Sequence, residues 1–224
     1  AVVVGRDGAD LFQLGLGSPA CINRYPLTVT CPKDDRFSVN LDGSGATGAS
    51  AKQGCLALSS DGKRLFVGGL TTGVKKAANP LAAVWSVMCP ERTGCRVLFG
   101  DPTKPGNDGK SLGGAPAGLV TDGKGRLFIA DEANNRVVAV DENDGKYLGE
   151  IGVEKPGRLG FVPRTGALYV LTWAGKVGKL MRFNLPTGSD PRDWKGLKPE
   201  AVLPVAHGYD NVSAALAVDR AATP

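Results

Sequence analysis

Gly118-Leu-Val-Thr-Asp-Gly-Lys-Gly-Arg-Leu-Phe-Ile-Ala-Asp131 reads as two short apolar strands around a turn marked by Asp122-Gly123. The same pattern returns in Cys55-Leu-Ala-Leu-Ser-Ser-Asp-Gly-Lys-Arg-Leu-Phe-Val-Gly-Gly69 and in Ala1-Val-Val-Val-Gly-Arg-Asp-Gly-Ala-Asp-Leu-Phe12. A fourth copy is Leu159-Gly-Phe-Val-Pro-Arg-Thr-Gly-Ala-Leu-Tyr-Val170. Every copy sets Asp-Gly or Thr-Gly between its strands, where glycine supplies the positive φ of a tight reversal. Every second strand then opens on Leu-Phe or Leu-Tyr. Recurrence at roughly 40 to 60 residues, with several strands per unit, is the signature of β-propeller blades.

Working outward, the first unit spans 1–54, with strands expected at Val2–Val4, Leu11–Leu14, Leu27–Thr30 and Phe37–Leu41. The second, 55–109, has Leu56–Leu58, Leu65–Val67, Ala83–Met88 and Arg96–Phe99. The third, 117–152, is compact, with Leu119–Val120, Arg126–Ile129, Val137–Val140 and Tyr147–Ile151. The fourth, 158–210, has Leu159–Val162, Ala167–Leu171, Leu180–Asn184 and Ala201–Val205. Ala214-Ala-Leu-Ala-Val-Asp219 reads as the opening strand of a fifth. The expected fold is all-β: one propeller domain over 1–224, with four four-stranded antiparallel blades and the start of another. A closed ring pairs its last strands with its first, so further chain is expected to complete it.

Length and composition agree with one large β domain. The chain has 224 residues, 42% hydrophobic and 22% charged, within the ordinary globular range. No apolar run reaches the roughly 20 residues of a membrane-spanning helix. Ala1-Val-Val-Val has no basic leader and already reads as a strand, so a signal peptide is expected to be absent or removed. The net charge of +5 is spread over short clusters such as Lys63-Arg64 and Lys75-Lys76. Dispersed lysines read as solvated turn and edge residues that discourage sheet-to-sheet association, which weighs against nucleic acid.

Five cysteines carry more information. Cys89 and Cys95 bracket the turn Pro90–Gly94 between two apolar strands, close enough to bridge. Cys21 and Cys31 similarly flank a short segment. Two local bridges imply an extracytoplasmic, oxidising compartment, with Cys55 left as a small hydrophobe in an inner strand.

Pro116-Ala-Gly-Leu-Val-Thr-Asp122, Leu127-Phe-Ile-Ala-Asp131, Asn134-Asn-Arg-Val-Val-Ala-Val-Asp141 and Gly145-Lys-Tyr-Leu-Gly-Glu-Ile-Gly152 together resemble an NHL repeat, with Asn135 at the position of that family's eponymous His. The likeness is strong over this unit and loose elsewhere. It implies a ring of six blades, with five or seven as variants.

Catalytic constellations are sparse. His207 is the single histidine, too few for a His-rich zinc site, and no Gly-x-Ser-x-Gly elbow accompanies it. It reads as a loop residue available for contacts. Asp141-Glu-Asn-Asp-Gly145 lacks the bidentate Glu at the twelfth place of a calcium loop and reads as a hairpin turn. Asn211-Val-Ser213 is a glycosylation sequon. Asp131 and Asn134 stand where the second strand of unit three turns to the third, to hold that turn or meet a ligand.

The function expected is a non-enzymatic binding or scaffold propeller without cofactor, meeting a protein partner or larger assembly. Its long connections at 70–80, 99–115 and 186–199 would supply the partner-facing surfaces. The resemblance leaves two alternatives open. One is an enzyme similar to strictosidine synthase or the gluconolactonase-like family, with an axial site that takes calcium on carboxylates and Asn. The other is an RNA-binding NHL propeller, whose affinity would fall steeply with salt.

Overall fold

The computed structural model describes residues 2–4, 10–15, 21–26, 36–38, 49–72, 82–88, 96–102, 104–173, 178–186, 191–205 and 216; side chains are described within 54–68, 82–88, 96–102, 104–173, 178–186, 193–205 and at 216. Among the described residues sixteen strands form four antiparallel sheets, each strand pairing with the next within its sheet. Blade 1 holds β1 (Val2–Val4), β2 (Asp10–Gly15), β3 (Cys21–Pro26) and β4 (Arg36–Ser38). Blade 2 holds β5 (Ala49–Leu58), β6 (Arg64–Thr72), β7 (Ala82–Met88) and β8 (Arg96–Asp101). Blade 3 holds β9 (Gly118–Thr121), β10 (Arg126–Asp131), β11 (Arg136–Asp141) and β12 (Tyr147–Gly152). Blade 4 holds β13 (Pro156–Val162), β14 (Ala167–Thr172), β15 (Gly178–Asn184) and β16 (Ala201–Val205). The first strands touch in series, β1 to β5, β5 to β9 and β9 to β13. They therefore line a common axis from which the blades fan.

Strand geometry explains why consecutive residues can all be apolar. Side chains alternate across a strand, and an inner blade has a neighbour on both faces. In β10, Phe128 and Ala130 join Phe161, Leu168 and Phe183 of blade 4. Leu127 and Ile129 join Phe66, Val84 and Leu98 of blade 2. Each such Leu, Ile, Val or Phe side chain contributes about 1.5–3 kcal/mol through burial. The turn glycines picked out by the repeat, Gly62, Gly123 and Gly166, all take positive φ (75°, 75° and 68°).

Three details depart from the sequence reading. The third strand of blade 1 is β3 at Cys21–Pro26 rather than Leu27–Thr30, its register fixed by Leu11 facing Tyr25 and Leu14 facing Ile22. The β-rich Leu-Thr-Val-Thr run misled the reading, because pairing across a hairpin overrides local propensity. Blade 2 opens at Ala49, not Cys55, because β5 crosses a register shift between Ala51 and Cys55, and blade 4 opens at Pro156. Within the connection expected at 186–199 to meet partners, the described 3-10 turn Pro191–Gly196 instead folds over the core. It packs on β12, and Trp194 is only 1% exposed. Its ring stacks on Phe128 at 6.1 Å, and Phe128 stacks on Phe161 at 5.8 Å. The fifth-unit strand at 214–219 lies, apart from Leu216, outside the described residues.

Candidate functional site

Charged side chains in blades 2 and 3 form two polar knots at opposite ends of the sheets. At one end, Glu142 in the β11–β12 turn is buried and accepts from Ser60 N (3.0 Å) and Ser60 Oγ (2.9 Å). Arg64 Nη1 donates to the Glu142 carbonyl at 2.9 Å and Nη2 to Asn143 Oδ1 at 2.7 Å. Ser60 Oγ also accepts from Gly125 N at 3.1 Å. The turns of blade 2 are thus bound to those of blade 3. Asp141–Gly145 is the expected hairpin turn, closed by Gly145 N to Asp141 O at 3.0 Å with Gly145 at φ 74°.

At the other end Arg136, buried in β11, donates to Asp131 (2.9 Å), Glu150 (2.8 Å) and the carbonyls of Asp108 (3.1 Å) and Ser111 (2.8 Å). Asp131 also accepts from Gly113 N at 3.0 Å and Asn134 Nδ2 at 2.8 Å, and Asn134 reaches the Gly106 carbonyl at 2.8 Å. Lys195 adds an ion pair to Glu150 at 3.3 Å. Asp131 and Asn134, singled out from sequence, thus meet here and anchor the inner side of the 104–115 connection. That connection stays exposed at Lys104, Asn107, Asp108 and Lys110. Asn135 adopts the left-handed conformation (φ 53°) tolerated by Asn. Its side chain accepts from Lys155 N at 3.0 Å and its carbonyl from Val153 N at 3.1 Å, tying blade 3 to blade 4.

Among the described residues two features stand apart from these knots. The first is the mouth of the axis, where β5, β9 and β13 converge. Gly118 lies so close to the Gly157 carbonyl that a Cβ there has no room. Beside it, half-buried Arg158 sends Nη1 to the carbonyls of Gly54 at 3.4 Å and Ala117 at 3.3 Å. One arginine of blade 4 thereby touches the first strand of blade 2 and the residue just before the first strand of blade 3. Cys55 lies beside this crossing, donating to the Pro116 carbonyl at 3.4 Å. Burial pushes its thiol up to about 12, against the opposing pull of Arg158, so Cys55 stays protonated and is no nucleophile.

The second is the outer edge of blade 4. Ala201, Val202, Leu203 and Pro204 of β16 are all exposed, Val202 at 46% and Leu203 at 60%. Blade 3's last strand, by contrast, is covered by the Pro191–Gly196 turn. Among the described residues no group of three or more His, Cys, Asp and Glu gathers as metal ligands.

Of the remaining sequence candidates, Cys31, Cys89, Cys95, His207 and Asn211 lie outside the described residues, and Cys21 is described only in its backbone, facing Ser38. Arg158, Arg136 and Glu142 escaped the sequence reading. The available signal was a charged residue directly flanking a buried apolar run, as Arg158 precedes Leu-Gly-Phe-Val.

No family model matches the chain, and no curated protein matches it. Solved structures do. The WD40 repeats of RRP9 align with TM-score 0.57 at 12% identity over 92% of this chain and 50% of theirs. A putative 6-phosphogluconolactonase from Bacteroides uniformis aligns with TM-score 0.55 at 14% identity over 92% of this chain and 57% of its own. TolB from Acinetobacter baumannii aligns with TM-score 0.52 at 14% identity over 82% and 40%. The chain spans about half the length of the solved structures it matches. These likenesses show the fold, a β-propeller, and the NHL likeness of 116–152 stays a resemblance.

Proposed function

We propose that the chain is a non-enzymatic binding propeller that serves as a scaffold for a protein partner. The observation that supports this most is the bare apolar strand β16. Among the described residues no further strand follows it in the sheet order, and its side chains put Val202 and Leu203 into water. A strand edge with apolar side chains suits an extended apolar segment of another protein, bonded through its backbone and gripped through alternate side chains. The buried carboxylates Asp122, Asp131 and Glu142 pair with arginines and backbone donors in blade-to-blade or turn bonds, which fits a structural rather than chemical use of charge. The extracytoplasmic location belongs to the same reading and depends on the expected Cys89–Cys95 and Cys21–Cys31 bridges, which lie outside the described side chains.

The test is affinity capture with wild type and with the double variant Val202→Asp, Leu203→Asp. Substitutions at such exposed positions shift stability by only about 0.5 kcal/mol, so the variant stays folded. Wild type is expected to retain one protein species in near-stoichiometric amount, lost by the variant. Equal retention by both, or none by either, overturns the assignment of this edge.

A further inference from the structure

We propose that Arg158 makes the mouth of the propeller axis a seat for one oxyanion group, a carboxylate or phosphate borne by a small ligand. Position is the first ground. The guanidinium spans the inner ends of three blades, fixed through Nη1 to the Gly54 and Ala117 carbonyls. Among the described residues Nε and Nη2 donate to no protein acceptor. Those two N–H groups form a parallel fork, the geometry that grips two oxygens of a carboxylate or phosphate.

Charge is the second ground. Arg64, Arg126, Arg136 and Arg182 each pair with a carboxylate. Among the described residues Arg158 has none, and the thiol beside it is neutral. A cation half withdrawn from water, whose hydrogen-bond partners among the described residues are carbonyl dipoles, gains from an arriving anion more than a fully solvated one does. The same charge opposes a calcium ion at this mouth, the cofactor that the enzyme alternative would place on the axis. This seat is separate from the β16 edge, and either assignment stands without the other.

The experiment follows the arginine Nε–H resonances of the full chain by proton–nitrogen NMR at constant ionic strength. Inorganic phosphate, acetate and calcium chloride are titrated separately. The resonance that vanishes in Arg158→Gln is expected to shift saturably with phosphate or acetate, and the arm that saturates at lower concentration identifies the group. Arg158→Lys, which keeps the charge but loses the fork, is expected to weaken binding at least about tenfold and serves as the reference should Arg158→Gln unfold. Uniform, non-saturating drift of all arginine resonances, no shift at all, or a saturable response to calcium overturns the proposal.

Discussion

Replacing Trp194 by alanine tests whether the 191–196 turn is part of the core or merely lies upon it. The indole is 1% exposed, stacked on Phe128 at 19°, with the Arg126 guanidinium 5.2 Å from its ring centroid. A buried Trp removes on the order of 150–250 Å² from water, which at about 25 cal/mol per Å² is about 4–6 kcal/mol. The retained alanine and partial collapse of the cavity bring the expected loss to about 3–5 kcal/mol. At about 2–4 °C per kcal/mol for a chain this size, Tm falls by about 6–20 °C. Urea unfolding followed by far-UV circular dichroism gives the free energy. Hydrogen exchange should show lost protection concentrated in β12 and the turn. A loss below about 1 kcal/mol, or protection unchanged in β12, would refute the view that this turn closes the space between blades 3 and 4.

Arg136→Met strands the buried Asp131 carboxylate and should cost about 3–5 kcal/mol, with part recovered by Asp131→Asn in the same chain; additive losses in urea unfolding would contradict the coupling. The Glu150 carboxyl feels burial, which alone would raise it, but Arg136 and Lys195 hold it below the ordinary range. Its stabilising contribution is therefore present above about pH 4.3 and drains away as the pH falls through the lower folded value; Glu150→Gln should flatten the acid limb of a Tm-versus-pH curve, and an unchanged limb counts against the assignment. Cys55 should resist alkylation in the folded protein at pH 8 and react after denaturation without reductant, while Cys89–Cys95 and Cys21–Cys31 remain bridged; intact mass showing five alkylated thiols defeats both bridges. Gly118→Ala drives a methyl against the Gly157 carbonyl and should cost about 1–3 kcal/mol, measured by thermal unfolding.

The blades were legible because their signals are local. Asp-Gly and Thr-Gly favour a reversal by backbone geometry, and the short, β-branched and aromatic apolar runs around Leu65, Leu127 and Leu168, bounded by these turns, read as strands buried on both faces. Blade 1's third strand was not, since Cys-Ile-Asn-Arg-Tyr-Pro carries weak propensity and gains its place by pairing with β2. The candidate site was less legible still. Arg158 meets Gly54 across 104 positions of sequence, and no local pattern reports which first strands converge. Asp131 and Asn134 were visible as a pair, but the partner of Asp131, Arg136, and the partner of Asn134, the Gly106 carbonyl, became apparent only with the 104–115 connection folded above them.

Apolar sheet faces attract without direction, so two blades held only by Leu, Val and Phe keep most of their attraction through a small relative rotation. The bonds from Ser60 and Arg64 to Glu142 and Asn143 are directional. They join turns of adjacent sheets and fix the angle by which blade 3 departs from blade 2. A circle of blades closes only when such angles sum to a full turn. The angle between blades 2 and 3 therefore has a directional contribution from these turns beside the undirected one from the core.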